Sequence, residues 1–284
     1  MQKTCFLLWA TLFFLLPIHS YGSSPRVVAL EFSFAEDLLA IGIVPVGIAD
    51  DGRPSQLYPA LQTLKWTSVG SRAQPDLEQI AALHPTLIIA DPSRHQLIED
   101  QLKHIAPVLM LPSRRASYSE NMQAAQSIAD ALGLTLAMKR RLQQHQNYLA
   151  HLAIQLNKNQ HASVLFLISR GPHLFAHARD SYIGGLLKAL TLEPADTGFS
   201  DSQPSRQINI EQLLAIDPKF ILLGQYGHHV LSKQWRHDPL WNILSAVQQH
   251  HVYPVNGHIW VKGRGILSAE WIAQQIANQI GAAS

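Results

Sequence analysis

The sequence predicts an α/β fold in which two lobes, each built on a parallel sheet, are joined by one long rigid helix. Short apolar runs rich in β-branched residues alternate with helical patterns over residues 27–111 and again over 163–280. The segment between these blocks contains helical patterns only. One unit also occurs twice, because Glu78, Ala82 and Pro85 recur at a constant offset in the second block. A repeated α/β unit on both sides of a helical segment indicates two similar lobes.

The first block reads as a series of βα units. The apolar runs RVVAL, VPVGIA, TLIIA and VLML are separated by the helical segments FAEDLLAIG, DLEQIAAL and HQLIEDQLKHI. Continuous apolar strands of this kind are typical of a parallel sheet covered on both faces. Pro85 and Pro107 each follow a predicted helix, where a residue without an N–H group ends the helix before the next strand.

The rest of the chain gives the connecting helix and the second lobe. A helix closed by Gly133 precedes a longer one, in which leucines recur at helical spacing from Leu142 to Leu156. Strands resume with SVLFLIS and continue through FILLG and HVYPVN, with the terminal helix LSAEWIAQQIANQI. We therefore expect two Rossmann-like lobes, at residues 23–134 and 159–284, joined by a helix at 135–158.

The N-terminus predicts export. Lys3 precedes an apolar run from Cys5 to Ile18, and Ser20-Tyr21-Gly22 gives a small-x-small cleavage pattern. Such a segment, here residues 1–22, is typical of a cleaved signal peptide and is too short to span a membrane. Cleavage would remove the only cysteine of the chain. The mature protein is thus expected in the periplasm, stabilised by a hydrophobic core without disulfides.

Composition and motifs argue against several classes of function. The formal charge is only +2, which gives no footprint for nucleic acid. The sequence contains no G-x-G-x-x-G after a strand, no P-loop, no G-x-S-x-G and no H-E-x-x-H. We therefore expect a protein that is not an enzyme and uses no cofactor.

Arginines in loops and at strand ends suggest an anion site. Guanidinium groups stay charged and bind carboxylates in a bidentate fashion. Ligands of open α/β sheets collect beyond the carboxyl ends of the strands, where one loop holds Ser93 and His95 and its counterpart holds Tyr226. Two lobes facing each other would bring these loops together. The arginines expected to bind an anion are Arg72, Arg94, Arg114, Arg170 and Arg264.

Fifteen histidines keep a zinc or manganese site open as an alternative. Such a site needs about three ligands at fixed geometry. His173 and His177 are four apart in a predicted strand, which separates them, and adjacent histidines such as His228 and His229 usually diverge. A metal site is therefore the weaker interpretation.

Glu78 and Glu211 open equivalent helices in the two blocks. A carboxylate in the first turn of a helix is favoured by the helix dipole, and this would explain either residue alone. The recurrence at the same point of both units suggests contact with a symmetric partner.

The segments RVVALEFSFAEDLLAIGIVPVGIADD, SVGSRAQPDLEQIAALHPTLIIADPSRH and RGILSAEWIA resemble, in order, the periplasmic siderophore-binding proteins of ABC importers, in particular those for ferric dicitrate. The resemblance implies a class III substrate-binding fold and capture of ferric citrate, or a similar Fe(III)–carboxylate chelate, by a monomer. It implies that the five arginines and Trp260 contact the ligand and not a bare metal ion. It also implies that Glu78 and Glu211 dock on the inner-membrane permease subunits. Lys262 and Gly263, between Trp260 and Arg264, depart from the family pattern.

Two other ligands stay open at this point. A haem or cobalamin binder of the same fold would need an axial residue such as Tyr226 in an apolar cleft, whereas five arginines favour a small polyanion. A zinc or manganese binder would need a closed histidine set.

Overall fold

The structure is a computed structural model that describes residues 24–199, 203–226, 235 and 237–283. The expected signal peptide, residues 1–22, and the His228-His229 pair lie outside these residues. Two β-sheets, each with its own apolar core, lie on either side of a long helix. The predicted α/β class is confirmed.

The first sheet has five parallel strands in the order β3-β2-β1-β4-β5. Its central strands are continuously apolar and buried, as expected for a sheet covered on both faces. The chain runs outward from β1 to β3 and then crosses to β4, so the strand order reverses between β1 and β4. Such a reversal opens a crevice at the carboxyl ends of the strands. The strands are β1 Val27–Ala29, β2 Gly47–Ile48, β3 Thr67–Ser68, β4 Leu87–Ala90 and β5 Val108–Met110.

Six helices accompany this sheet within the described residues. Their starts are well capped where the sequence offers a polar side chain: Asp76 accepts the backbone N–H groups of the first turn of α3, and Ser117 forms a capping box with Glu120 at α6. The helices are α1 Phe32–Ala40, α2 Pro59–Gln62, α3 Leu77–Ala82, α4 Pro92–His95, α5 Glu99–Lys103 and α6 Tyr118–Ala131.

The connecting helix α7 spans Thr135–Gln155. It starts after Gly133, whose φ of 71° is a left-handed conformation that ends α6 at little cost for glycine. Leucine side chains on one face of α7, such as Leu149 and Leu152, are buried in the core of the second lobe. The opposite face is exposed at Lys139 and Arg140. The spacing of apolar residues thus fixes which face of the helix is covered.

The second sheet has six strands, ordered β11-β10-β6-β7-β9, with β8 paired to β6. The prediction of a purely parallel sheet was wrong here. Strand β7 is antiparallel to both β6 and β9, because a two-residue turn at Gly171 returns the chain directly alongside β6. The strands are β6 Ser163–Arg170, β7 His173–His177, β8 Glu193–Pro194, β9 Ser205–Ile208, β10 Phe220–Gln225 and β11 Val252–Asn256.

The terminal helix α13 is the main contact between the two lobes. Its buried residues join the core of the second lobe, while Ile266 at its start packs with Ala125, Ala129 and Met138 of α6 and α7. Its first turn also touches α1 of the first lobe. The described helices of this half are α8 Tyr182–Ala189, α9 Ile210–Ile216, α10 Pro239–Asn242, α11 Ser245–Gln248, α12 Gly257–Lys262 and α13 Ile266–Ile280.

Across the described part of the chain, no helix combines the length and apolarity that crossing a membrane requires.

Candidate functional site

A cavity of about 520 Å³ lies between the lobes, at the loops that follow β3, β4, β5, β6 and β10. Seven of its fifteen lining residues are cationic, and none of the fifteen is acidic. The surroundings are therefore strongly positive and suited to an anion. The lining consists of Arg72, Arg94, Arg114, Arg115, Ile168, Arg170, Phe175, His177, Gln203, Pro204, Ser205, Tyr226, Val261, Lys262 and Arg264.

All five arginines predicted from the sequence line this cavity, together with Tyr226. Arg94 lies in the short helix α4 and not in a loop, and Arg170 is the last residue of β6. Two further cations, Arg115 and Lys262, were not predicted to be in the site. The sequence signal for Arg115 is its position next to Arg114, and Lys262 lies two residues before Arg264.

Three residues expected to contact the ligand do not line the cavity. Trp260 is only 1% exposed, packs in the second lobe's core and donates its indole N–H to Gln275. His95 is fully buried, with one ring nitrogen accepting from the Asp91 N–H and the other donating to the Arg72 carbonyl. Ser93 is exposed on α4. His95 thus supports the loop that carries Arg72, and its own nitrogens are occupied.

Glu31 forms ion pairs with two of the cleft arginines, Arg72 and Arg94. It follows β1, at the strand-order reversal, and is 1% exposed. Its carboxylate lies 3.3 Å from the Arg72 guanidinium and 2.5 Å from that of Arg94. Burial raises the pKa of the Glu31 carboxyl, while the two guanidinium groups oppose that rise. Glu31 therefore holds Arg72 and Arg94 side by side. Sequence reasoning missed it because a single glutamate in a helical pattern gives no sign that it is buried.

Asp51 holds Arg72 from the other side. The Arg72 Nη2 group lies 2.7 Å from Asp51 Oδ2, and both the Nε and the backbone N–H of Arg72 donate to Asp51 Oδ1. Hydrogen bonds and charge from Arg72 outweigh partial burial and hold the pKa of Asp51 well below its usual range. The second lobe also reaches Asp51, since Lys262 Nζ lies 3.3 Å from Oδ2. Asp51 thus links cations of both lobes at the cleft.

Asp91 fixes the positions of Arg94 and Arg114. One carboxylate oxygen accepts the Ser93 N–H at 2.7 Å, at the start of α4. The other accepts the N–H groups of Ser113 and Arg114, at 3.0 and 2.7 Å. Because the side chain is buried, these charge-assisted bonds join the loops after β4 and β5.

The wall contributed by the second lobe is partly aromatic. The Arg170 guanidinium lies 5.4 Å from the Phe175 ring and 5.3 Å from the Tyr226 ring, and it donates to the Tyr226 hydroxyl at 3.3 Å. His177, also in this wall, packs on Phe166 with ring centroids 4.5 Å apart. Burial, with the nearby charges of Arg264 and Arg170, lowers the pKa of His177 to about 3. His177 is therefore neutral at physiological pH and offers a hydrogen bond without adding charge.

Arg264, like Arg114 and Arg115, lines the cavity without an acidic partner for its side chain among the described residues. Among the described residues it makes no ion pair and no side-chain hydrogen bond that would use its guanidinium. Burial is the main cause that lowers its pKa, to about 10, so the group remains charged at neutral pH. A partly buried cation without an ion-pair partner costs free energy that a bound anion would recover.

The described residues hold no group of three histidine, cysteine or carboxylate side chains that could bind a metal ion. The Gln207 side-chain amide donates a hydrogen bond to His173 Nδ1 at 3.0 Å, and His177 is the only histidine in the described lining of the cleft. The pair His228-His229 lies outside the described residues.

Glu78 and Glu211 occupy the same position in their helices. Each is the second residue of its helix, α3 or α9, and each helix is capped by the residue two places earlier, Asp76 or Asn209. Both glutamates are exposed and neither lines the cleft.

Comparison with known proteins agrees with this architecture. The family described as periplasmic binding protein matches residues 27–256. The Fe(3+) dicitrate-binding periplasmic protein FecB of Escherichia coli K12 is 43% identical over 250 residues, 87% of this chain and 82% of that protein. The Fe(3+)-citrate-binding protein YfmC of Bacillus subtilis 168 is 34% identical over 264 residues, 91% of this chain and 82% of that protein.

Solved structures show the same fold. FhuD from Vibrio cholerae, a siderophore-binding protein bound to Fe3+–Desferal, superposes with a TM-score of 0.77 at 23% identity, over 92% of this chain and 100% of that chain. SirA from Staphylococcus aureus, complexed with staphyloferrin B, gives a TM-score of 0.77 at 18% identity, over 92% and 94% of the two chains. With two lobes, a connecting helix, a cleft between the lobes and a family match across both, the chain belongs to the periplasmic binding protein family.

Proposed function

We propose that this protein captures ferric citrate, or a similar Fe(III)–carboxylate chelate, in the inter-lobe cleft and delivers it to an inner-membrane ABC permease. The single observation that carries the proposal is the lining of the cleft, with seven cations and no acid around about 520 Å³. Identity of 43% with a dicitrate-binding protein and of 34% with a citrate-binding protein supports the same ligand class.

The charge of the ligand explains the choice of side chains. Citrate bound to Fe(III) gives a net anionic complex, because the negative charges of its carboxylate and alkoxide groups outnumber the positive charges of the ion. The oxygens not bonded to iron point outward, where guanidinium groups can donate paired hydrogen bonds. Each such bond contributes roughly 1.5 to 3 kcal/mol, so about five of them are enough to reach the roughly 8 kcal/mol of a micromolar Kd. The protein then binds the chelator and needs no metal ligand of its own.

The two walls of the cleft suggest an orientation for the chelate. The first lobe contributes only arginines to the lining: Arg72, Arg94, Arg114 and Arg115. The second lobe contributes apolar and aromatic groups beside its cations, including Ile168, Phe175 and Val261. We expect the face richest in free carboxylates to contact the first lobe. The methylene groups of the chelator would then contact the second lobe.

Three acids behind the cavity lining hold cleft arginines in position for the ligand. Glu31, Asp51 and Asp91 together position Arg72, Arg94 and the backbone of Arg114 before any anion arrives. Side chains held in place lose less conformational entropy on binding than free ones. The three acids themselves lie outside the lining of the cavity.

Export and docking complete the proposal. The N-terminal segment 1–22 is proposed to be a signal peptide that directs the chain to the periplasm. Glu78 and Glu211, exposed at equivalent helix starts in the two lobes, are proposed to pair with cationic groups on the two permease subunits. We propose that the protein works as a monomer without catalytic activity or a cofactor.

Tryptophan fluorescence gives a direct test. Trp260 packs on Phe166 with ring centroids 5.3 Å apart, and Phe166 packs on His177 of the cavity wall. Its emission should therefore change when the cleft fills. The panel is ferric citrate, iron-free citrate, the ferric complex of desferrioxamine, haemin and zinc chloride. The proposal predicts a saturable response to ferric citrate at the lowest concentration. Saturation by haemin or zinc, with no response to ferric citrate, would refute it and favour the haem or metal alternative.

A further inference from the structure

Two adjacent acids in the first lobe, Glu36 and Asp37, lie far from the surface at the junction of the lobes. They are 0% and 1% exposed, on the buried side of α1. Glu36 Oε2 accepts the backbone N–H of Ser268 at 2.9 Å, and Asp37 Oδ1 accepts that of Ile266 at 3.0 Å. Both N–H groups belong to the first turn of α13, where no carbonyl of the helix itself can accept them. Two side chains of the first lobe thus take the place of an N-cap residue for the terminal helix.

These two bonds sit next to a cation of the cleft. Arg264 comes two residues before Ile266 and lines the cavity. Gly265 between them is packed so tightly that a Cβ there would lie 2.6 Å from the Glu36 Cβ and 2.8 Å from the Ser33 carbonyl oxygen. The Tyr182 hydroxyl donates to the Gly265 carbonyl at 3.1 Å. The backbone that carries Arg264 is therefore held by α1 on one side and by α8 on the other.

Keeping both acids in this place has a cost. One oxygen of each, Glu36 Oε1 and Asp37 Oδ2, is buried without a hydrogen-bond partner. Burial is the main cause that raises the pKa of Glu36 to about 7 and that of Asp37 well above its usual value. The titratable or charged groups that face the pair from the neighbouring elements are Tyr58 just before α2, Arg141 on α7, Tyr182 on α8 and Arg264 before α13. A pair of apolar residues would fill the same space at lower cost, so the acids are best explained by what they hold.

We propose that Glu36 and Asp37 are positioning residues for ligand binding, which act from the first lobe on the start of α13 and so place Arg264 in the cleft. The inference rests on the proposed function, because its consequence is the affinity for an anionic chelate. The acids contact neither the cavity nor its ligand. Their effect reaches the ligand through Arg264 alone.

A double-mutant cycle tests this inference. Calorimetric Kd values for ferric citrate are measured for the wild type, Glu36→Ala, Arg264→Ala and the double variant. We expect Glu36→Ala to weaken binding about tenfold in the wild-type background and less than about twofold when Arg264 is already alanine. Glu36→Gln keeps an oxygen that can accept the Ser268 N–H and should bind within about twofold of the wild type, which also covers the case in which the alanine variant does not fold.

The matched control is Glu270→Gln. Glu270 lies on the same helix α13 and pairs with Arg141 and His145, away from the cleft. It should lose stability without losing affinity. An equal loss of affinity for Glu36→Ala in both backgrounds, or the same loss for Glu270→Gln, would overturn the inference and assign Glu36 a role in stability only.

Amide hydrogen exchange gives a reading that needs no ligand. Exchange at Ser268 should be faster in Glu36→Ala than in the wild type or in Glu270→Gln, because that N–H loses its acceptor. Unchanged exchange at Ser268 would overturn the anchoring role. A wild type that binds no ferric citrate would refute the proposed function, and exchange at Ser268 alone would then decide whether Glu36 anchors the segment.

Discussion

The carboxylate of Glu31 lies 3.3 Å from the guanidinium of Arg72 beneath the cleft, and the two side chains are only 1% and 7% exposed. The same carboxylate pairs with Arg94. Two guanidinium groups that would repel each other are thereby held within reach of one ligand. Arg72 and Arg94 are therefore held in position before the ligand binds.

Loss of Glu31 should cost stability. We expect Glu31→Gln to lower the free energy of unfolding by about 3 kcal/mol, the scale of breaking a buried ion pair, because Arg72 and Arg94 lose a shared partner. Urea unfolding followed by circular dichroism measures the change. Glu193→Gln is the control, since its pair with Arg179 is about 40% exposed and should be worth less than about 1 kcal/mol. Equal losses of stability in the two variants would show that the ion pairs of Glu31 stabilise the fold no more than an exposed pair does.

Replacing two cleft arginines should show that ligand affinity and fold stability depend on different contacts. Arg264→Ala and Arg94→Ala should each weaken ferric citrate binding by roughly ten- to a hundredfold, the effect of one lost charge-assisted bond. Only Arg94→Ala should also destabilise the fold, since it leaves Glu31 with one partner instead of two. Lys139→Ala, exposed on α7, is the charge-matched control and should change neither quantity. Wild-type affinity in both arginine variants would mean that these residues are not in the binding site.

Stability should depend on pH through Glu36. Its pKa is raised from 4.5 to about 7 in the folded state by burial. Between these values the folded protein keeps a proton that the unfolded chain releases, so this contribution to stability falls as pH rises from about 4.5 to about 7. The loss is at most about 3 kcal/mol.

The comparison with Glu36→Gln removes this contribution, because glutamine does not titrate, together with the part of the Asp37 pKa shift that the charge of Glu36 causes. Free energies of unfolding are measured at intervals across the same pH range. The difference in stability between Glu36→Gln and the wild type should increase with pH. A constant difference would contradict a raised pKa at Glu36. His177, whose pKa is lowered to about 3, contributes with the opposite slope in both proteins and cancels in the difference.

Glu78 and Glu211 should matter to transport and not to binding. Their replacement by alanine should cost only the helix-dipole contribution, roughly 0.3 to 1 kcal/mol. Reversal to lysine at either site should abolish iron uptake in cells by setting like charges against the permease, while the purified protein keeps its affinity. The same variants are assayed for chelate binding in vitro and for uptake in vivo. If uptake survives both reversals, or if affinity falls together with uptake, the docking role is wrong.

Much of the fold follows from local patterns. Continuous apolar runs such as Leu87–Ala90 and the repeated capped helices at Asp76 and Asn209 carry their own signals of strand and helix start. Strand β9 carries no such signal. Ser205–Ile208 is mostly polar and forms a strand because Leu174–His177 offers an edge to pair with. That pairing depends on tertiary structure and has no counterpart in the local sequence.

The arginines that line the cleft could be predicted from the sequence, but the acids that hold them in place could not. Five arginines near strand ends together indicated the anion cleft, because guanidinium groups stay charged and match carboxylates. Glu31 and Asp51 could not be identified, since an acid shows whether it is buried only when its arginine partner is known. Trp260 shows the reverse error. The resemblance to siderophore-binding proteins implied that Trp260 contacts the ligand, but the helical turn at Gly257–Lys262 directs it into the core.

Calorimetric titration of the purified mature protein with ferric citrate, and separately with zinc, tests the central claim most directly. A cleft built to hold an anionic chelate by its oxygens should give a one-to-one isotherm for ferric citrate, with a Kd in the micromolar range or below. That affinity should weaken as ionic strength rises, because salt screens exposed charges. Zinc should give no isotherm. A tight one-to-one isotherm for zinc with none for ferric citrate would contradict the account.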